Sequence, residues 1–319
     1  MTCKERFALT LRFVEPDRPP HFEAMFELEH EAFGLRFPDR REWATLTGAA
    51  RERAIATCME IYARIVETYA WDGLAVYWPW ADPAGVAAAK RTLGDRIAIG
   101  GMVGGGLWAI DGMRDWEAFA VALHEDRASL HAEAERRCRA ACATADRLAD
   151  AGADFLYLPH DVAFNAGPFI APKDFAELVT PYLARLVAHV KQRGCFAIFH
   201  SDGNLMSVLD QIVSCAPHAL QSIDPMAGMD LAEVKRRTYG RMAIMGNVQC
   251  NLLQDGPRER IRASTRYCLE HGAPGGGYLF STSNTIFPGM PLEHYEYMLE
   301  VFREFNAERA KARGKVEKT

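Results

Sequence analysis

Short apolar runs that alternate with helical segments are the feature that most restricts how this chain can fold. Seven such runs cover residues 73–78, 96–101, 155–159, 195–199, 219–223, 242–245 and 278–281. They are largely apolar and show no regular alternation with polar residues, which is typical of parallel strands buried on both faces. The chain is therefore predicted to be an α/β protein with a parallel sheet.

Helical segments separate these runs. Apolar residues recur at helical spacing over 46–71, and further helices are predicted at 115–150, 172–193, 205–214, 231–238, 257–271 and 291–313. Repeated strand–helix units form either a closed barrel or an open doubly wound sheet. A barrel needs an eighth strand, which we expect near the N-terminus or within residues 102–115.

Polar side chains follow almost every predicted strand directly, and this favours the barrel. In a (β/α)₈ barrel the C-terminal strand ends form one mouth, where catalytic residues from distant parts of the chain meet. The candidates in chain order are His160, Asp161, Asn165, His200, Asp202, Asp224, Asn247 and Ser283. We predict a TIM-type (β/α)₈ barrel with an N-terminal helical extension and a pocket at this mouth.

A histidine and an aspartate two residues apart are the most informative of these candidates. His200 and Asp202 stand at a strand exit, where both side chains can point into the mouth. An imidazole beside a carboxylate makes either a metal clamp or an oriented acid–base pair. The structural alternative is an aspartate that caps the next helix and a histidine that bonds nearby backbone.

The other candidates also have two interpretations. Asp161 could act as a general base or hold a substrate hydroxyl, or it could satisfy loop amides. Asp224 stands before a proline and Asn247 after a glycine, so both also fit ordinary turns. Trp78 flanks the end of the first strand, where it could form an aromatic wall for a methylated substrate or pack in the core.

Charge and motifs exclude several classes of function. The net charge is −5, and no stripe of Lys and Arg with interleaved aromatics indicates nucleic-acid binding. No apolar run is long enough for a signal core or a membrane span, so we expect a cytoplasmic protein that does not bind membranes. The glycine-rich stretch 100–106 lacks the register of a dinucleotide-binding loop.

An ordered series of segments resembles the uroporphyrinogen decarboxylase superfamily. The series runs from the strand before His160-Asp161 through Pro168-Phe-Ile-Ala-Pro-Lys-Asp-Phe175, Phe199-His-Ser-Asp-Gly-Asn204 and Met245-Gly-Asn-Val248 to Gly275-Gly-Gly-Tyr-Leu-Phe-Ser281. The resemblance implies one (β/α)₈ barrel domain over residues 1–319, with an N-terminal helical part at 1–70 and the barrel at 71–310. It also implies a pocket at the C-terminal strand ends.

Within that superfamily, the resemblance points to the corrinoid-linked methyltransferase and demethylase branch. The zinc methyltransferases of the superfamily use a His-x-Cys pair and a later Cys. Here His200 matches the histidine, Asp202 stands at the first Cys position, and Ser283 falls near the second. Zn²⁺ held by His200 and Asp202 is therefore an expectation with harder ligands. Cobalamin is expected only through a separate corrinoid protein.

Three functions follow as hypotheses. The leading one is transfer of a methyl group from a small methylated substrate to a corrinoid protein. In it His200, Asp202 and Asp161 would be catalytic, and His160, Asn165, Asp224, Asn247, Ser283 and Trp78 would contact the substrate. The second is a cofactor-free decarboxylase of a small acid, and the third is a barrel that binds a ligand without catalysis. The decarboxylases carry an aspartate at the first strand end, where this chain has Tyr77-Trp-Pro-Trp80, which disfavours a tetrapyrrole substrate.

Overall fold

A computed structural model of the chain describes residues 1–316, and the side chains of residues 1–313. Its main sheet contains seven strands, and a short hairpin adds two more. In chain order the strands are β1 (Gly73–Val76), β2 (Ala98–Met102), β3 (Phe155–Pro159), β4 (Ala163–Phe164), β5 (Gly167–Pro168), β6 (Phe196–His200), β7 (Ala219–Gln221), β8 (Ala243–Val248) and β9 (Tyr278–Thr282).

Helices precede and separate these strands. They are α1 (Cys3–Leu11), α2 (Glu29–Phe33), α3 (Gly48–Tyr69), α4 (Pro83–Leu93), α5 (Trp116–Glu125), α6 (Arg127–Asp150), α7 (Pro172–Leu178), α8 (Thr180–Gln192), α9 (Leu209–Ser214), α10 (Leu231–Thr238), α11 (Cys250–Asp255), α12 (Arg258–Gly272) and α13 (Leu292–Val316). Short 3₁₀ turns lie at Trp43–Thr45, Ile110–Gly112 and Pro225–Ala227.

The main sheet is parallel throughout, in the order β1-β2-β3-β6-β7-β8-β9. Strands that follow one another along the chain are therefore neighbours in space, apart from the β4–β5 hairpin inserted after β3. Most of the strand residues are buried, because helices cover one side and the barrel interior the other. This curled parallel sheet is the TIM-type (β/α)₈ architecture predicted from the sequence.

The extended segment 20–26 lies between the two edges of the sheet. On one side the Pro20 carbonyl accepts from the Phe280 amide of β9 at 2.8 Å. On the other side the His21 carbonyl accepts from the Asp72 amide, just before β1, at 2.7 Å. Parallel bridges join His21 to Phe280 and Phe26 to Ile286. The segment thus takes the place of the eighth strand that was expected near the N-terminus.

All seven predicted strands are confirmed within a few residues, but two predicted helices were wrong in extent. The helix predicted at 115–150 is divided at Asp126, whose side chain accepts from the Ser129 amide and caps α6. The helix predicted at 172–193 is divided at Val179 into α7 and α8. The first break is a side-chain capping event, and the second lies two residues before Pro181, which has no backbone N–H to continue the helix. Neither break is revealed by the periodicity of apolar residues.

None of the helices in the described part of the chain combines the length and the apolar character needed to cross a membrane.

A buried carboxylate fixes the closing segment to the sheet. Asp72 is fully buried and accepts from Arg6 at 2.6 Å, from Arg18 at 2.6 Å and from the His21 amide at 2.8 Å. Removing one partner of a buried ion pair leaves the others uncompensated. We therefore expect Asp72→Asn to lower the free energy of unfolding by about 3 kcal/mol, measured by urea denaturation.

Asp95→Asn is the matched control, because Asp95 is 81% exposed and its ion-pair partners are the lysines Lys4 and Lys90. It should change the free energy of unfolding by less than about 0.5 kcal/mol. Equal effects of the two substitutions would contradict the role given to Asp72.

Candidate active site

Three side chains from two strand exits meet at the mouth of the barrel. Asp161 follows β3, His200 ends β6, and Asp202 lies two residues beyond it. One ligand atom from each lies within 4.8 Å of the others. The His200 Nε2 atom is 3.4 Å from Asp161 Oδ1, and the Asp202 amide donates to the same oxygen at 3.0 Å.

Gln221, at the end of β7, sets the orientation of the His200 ring. Its side-chain nitrogen faces the carbonyl oxygens of Thr282 and Ser283, at 3.4 Å each, so its side-chain oxygen must face the other way. That oxygen accepts from the Tyr157 hydroxyl at 2.6 Å and contacts His200 Nδ1. His200 therefore carries a proton on Nδ1 and presents Nε2 to Asp161.

Asp202 is held on both carboxylate oxygens by neutral donors. The Ser222 hydroxyl donates to Oδ1 at 2.7 Å, and the Asn284 amide donates to Oδ2. These donors come from the ends of β7 and β9, so Asp202 joins strand exits across the mouth. Hydrogen bonds from neutral groups thus fix its carboxylate in place.

Burial and neighbouring charges separate the pKa values of the three groups. Burial opposes the charged form of His200, but Asp161 and Asp202 outweigh it and raise the pKa of His200 above its ordinary value of 6.5. Burial likewise opposes ionisation of Asp161, yet His200 holds the pKa of that carboxyl low. Burial raises the pKa of Asp202 even though His200 and Ser222 lower it. The site thus favours the protonated form of His200 and the ionised form of Asp161, while Asp202 is the more basic carboxylate.

Asp224 adds a third carboxylate beside a cavity of about 330 Å³. It accepts from the amides of Gly203 at 3.2 Å and Met226 at 2.9 Å. The cavity is lined by Asp202, Asp224, Met226, Cys250, Asn251, Gln254, Ser283, Asn284 and Phe287. Of the described residues, no lysine or arginine lines it. Its volume suits a small molecule.

A glycine permits the close approach that builds this arrangement. Gly203 has φ +83°, in the left-handed region, and a Cβ atom there would lie 2.3 Å from the Ala163 carbonyl oxygen. The neighbouring Asn204 amide donates to the Phe164 carbonyl at 2.9 Å. The exit of β6 thereby packs directly on the β4–β5 hairpin and brings Asp202 next to Asp161.

The remaining predicted site residues lie outside this cluster, and only Ser283 borders the cavity. His160 is buried beneath it, with Nε2 accepting from the Gly106 amide at 2.9 Å, and burial lowers the pKa of His160 to about 4. Asn247 is buried and donates to the Ile223 carbonyl at 2.6 Å. Asn165 is exposed in the hairpin turn, and Trp78 is buried against Trp43. Their roles as substrate contacts stay predictions.

Gln221, Ser222 and Tyr157 were not among the predicted site residues. Gln221 and Ser222 interrupt the otherwise apolar run 219–223, and that interruption was the available signal. Polar side chains inside a strand buried on both faces must find partners, so they mark a polar network. Which partners they find depends on the barrel register, which places Gln221 opposite His200.

The donor set tests whether the site fits a metal ion. One imidazole nitrogen and two carboxylates can hold a divalent cation, and a ring fixed through its other nitrogen is usual for a metal-bound histidine. Cys250 borders the cavity, but burial raises the pKa of its thiol to about 11. A thiolate is therefore disfavoured, and the residues present suit a harder cation than a thiolate-rich zinc site would.

Comparisons with known proteins place this site in a family. The family model for uroporphyrinogen decarboxylase (URO-D) matches residues 84–305. Uroporphyrinogen decarboxylase of Anaeromyxobacter dehalogenans is 27% identical over 226 residues, which are 69% of this chain and 62% of that protein. Uroporphyrinogen decarboxylase of Azotobacter vinelandii is 23% identical over 237 residues, which are 70% of this chain and 64% of that protein. The chain thus spans less than two thirds of these relatives.

A solved structure supports the fold. A methyltransferase from Methanosarcina mazei superposes with a TM-score of 0.76 at 16% identity, over 96% of this chain and 99% of that protein. At this identity the likeness establishes the architecture and not the reaction.

The pKa of His200 provides a direct test of the site geometry. Asp161 is its nearest counter-ion, so Asp161→Asn should lower that pKa, because burial then acts with less opposition. Histidine ring signals followed by NMR across pH 5 to 9 will report it. In the unchanged protein, the raised pKa of His200 means that its protonation stabilises the folded state. This contribution to the free energy of unfolding is complete below pH 6.5, and it disappears as the pH rises through the pKa of His200 in the folded protein.

Asp224→Asn is the matched control within the same mouth. Asp224 is bonded to two backbone amides and not to His200, so its neutralisation should move the His200 pKa less. The assigned geometry is contradicted if both substitutions shift that pKa equally.

Proposed function

The chain belongs to the uroporphyrinogen decarboxylase family, and we propose that it is a methyltransferase that demethylates a small substrate and passes the methyl group to a separate corrinoid protein. The observation that carries this proposal is the oriented His200 centre beside a small cavity without a lysine or arginine among the described residues. Such a site can assist a leaving heteroatom but has little to hold a carboxylate-rich substrate.

Removal of a methyl group from a heteroatom has one chemical requirement that this centre meets. When the C–X bond breaks, its electron pair stays on the heteroatom, and an ether oxygen is a poor leaving group until it gains a proton. When His200 is protonated, it carries a second proton on Nε2 that it can give to the heteroatom, and Asp161 and Asp202 favour this protonated form. His200 is thus the proposed acid, and Asp161 the residue that positions and charges it.

A metal ion is the alternative activator at the same atoms. His200 and Asp202, joined by Asp161, would hold a Zn²⁺ or a harder divalent cation. Bound there, such an ion would supply Lewis-acid activation of the substrate heteroatom. Gln221 would keep the His200 ring in the orientation that ligation requires, since it fixes the proton on Nδ1.

The corrinoid partner is proposed because methyl transfer needs an acceptor, and a partner corrinoid supplies a cobalt nucleophile for it. The cavity opens at the C-terminal strand ends, where it is lined by the apolar side chains of Met226, which is exposed, and Phe287, which is half-buried. Exposed apolar groups beside a binding cavity are typical of interaction surfaces. They support a protein partner at the mouth.

Decarboxylation of a small acid is the second candidate, since the curated relatives are called uroporphyrinogen decarboxylases. It would require the cavity to hold a carboxylate next to Asp202 and Asp224. His200 is the only cationic group at that position among the described residues, and Asp161 already neutralises it. The charge of the site therefore favours methyl transfer.

An anaerobic transfer assay tests the proposal. The protein is incubated with reduced corrinoid proteins and a panel of O-, N- and S-methyl compounds, and methyl-cobalt formation is followed by absorbance. His200→Asn should reduce the rate by about 10²–10⁴-fold, because it removes the acid or the metal ligand. Asp95→Asn should leave the rate unchanged, since Asp95 is remote and exposed.

Release of CO₂ from a small acid without any corrinoid would replace the proposal with the decarboxylase. If no substrate of either kind reacts although the protein is folded, and His200→Asn leaves ligand binding unchanged, the enzyme assignment fails.

A further inference from the structure

The mouth of the barrel carries an excess of negative charge. Asp202 and Asp224 are bound only by hydroxyl, carboxamide and backbone N–H donors, all of them neutral. Asp161 is paired with His200, so among the described residues at most one positive charge, that of His200, stands against three carboxylates. In the part of the chain whose side chains the structure describes, no Lys or Arg forms an ion pair with any of the three.

This excess is costly for the free protein. Asp202 is half-buried, and it borders the same cavity as Asp224. Two carboxylates that face one small cavity repel each other in a medium that screens poorly. A positively charged ligand would remove this repulsion, whereas a carboxylate would add to it.

The other groups around the cavity suit an alkylated cation better than a hydrated metal ion. Phe287 and Met226 provide an aromatic ring and a thioether, which make favourable contacts with the polarised methyl groups of an ammonium ion. Asn284 and Gln254 provide polar contacts at the same cavity. The volume of about 330 Å³ accommodates a ligand of modest size.

We infer that the substrate is a small N-methylated ammonium compound, bound with its cationic nitrogen between Asp202 and Asp224 and its methyl groups toward Phe287 and Met226. The inference rests on the proposed function for the reaction, but its binding part stands on the cavity alone. It narrows the proposed substrates from O-, N- or S-methyl compounds to N-methyl ammonium compounds.

The chemistry of such a substrate balances without an added acid at the moment of transfer. The N–CH₃ bond would break with its electron pair left on nitrogen, and the methyl group would pass to the reduced corrinoid of the partner, which would supply the electron pair for the new bond. A quaternary ammonium thereby leaves as a neutral tertiary amine.

A pair of compounds that differ only in charge tests the inference. Choline and 3,3-dimethyl-1-butanol have nearly the same shape, with a nitrogen cation in the first and a carbon atom in the second. Isothermal titration with the full chain should show choline binding tighter by about tenfold or more, because only the cation relieves the carboxylate repulsion. Acetate should not compete with choline.

Substitutions identify the groups responsible. Asp224→Asn should weaken choline binding by about tenfold while leaving the alcohol unaffected, because only the charged ligand loses a partner. Asp95→Asn makes the same change of net charge at the opposite face and should leave both affinities unchanged. A thermal-unfolding curve for each variant confirms that it is folded.

The result that overturns the inference is tighter binding of the neutral alcohol or of acetate than of choline, or equal choline affinity in Asp224→Asn. That result leaves methyl transfer from a neutral ether possible, so it does not refute the proposed function. Conversely, choline binding that needs Asp224 but no methyl transfer from any ammonium compound would refute the reaction and retain the cation site.

Discussion

The insertion of segment 20–26 between β9 and β1 is the constraint on which the rest of the structure depends. Seven parallel strands leave two open edges, and this segment satisfies backbone groups on both. It also brings in Glu23, which is fully buried and accepts from the Thr282 amide at 2.9 Å and hydroxyl at 2.7 Å. A buried carboxylate needs such donors. The closure therefore fixes the end of β9, where the mouth begins.

Side-chain hydrogen bonds connect the end of β9 to the centre of the site. The Thr282 carbonyl accepts from Gln221, whose side-chain oxygen contacts His200, and Asn284 follows two residues after Thr282 along the chain. Asn284 in turn holds Asp202. Buried polar networks of this kind specify one arrangement, because each group left without a partner would cost free energy. The site is rigid through its connection to the barrel wall.

Several parts of this structure could be predicted from the sequence, for physical reasons. Strands buried on both faces require apolar runs, so all seven strands of the main sheet could be predicted from such runs. Polar residues directly after these runs indicated Asp161, His200 and Asp202 as site residues. The position of segment 20–26 was harder to predict, since His21 and Glu23 break its apolar character. The donors to Glu23 come from Thr282, which is distant in the sequence. Gln221 was not predicted as a site residue for a similar reason, because its side chain bonds to Tyr157 and Thr282 on other strands. Asn247 stands at a strand exit like the others, but its side chain bonds backbone, a difference that only the local geometry decides.

The central claim is that Gln221 fixes His200 with its proton on Nδ1, so that Nε2 is the atom available for chemistry. Nitrogen-15 chemical shifts of His200 in the folded protein, measured above its raised pKa, test this most directly, because protonated and unprotonated ring nitrogens differ widely in shift. The account predicts a protonated Nδ1 and an unprotonated Nε2. A neutral ring protonated on Nε2, with Nδ1 bare beside Gln221, would contradict it.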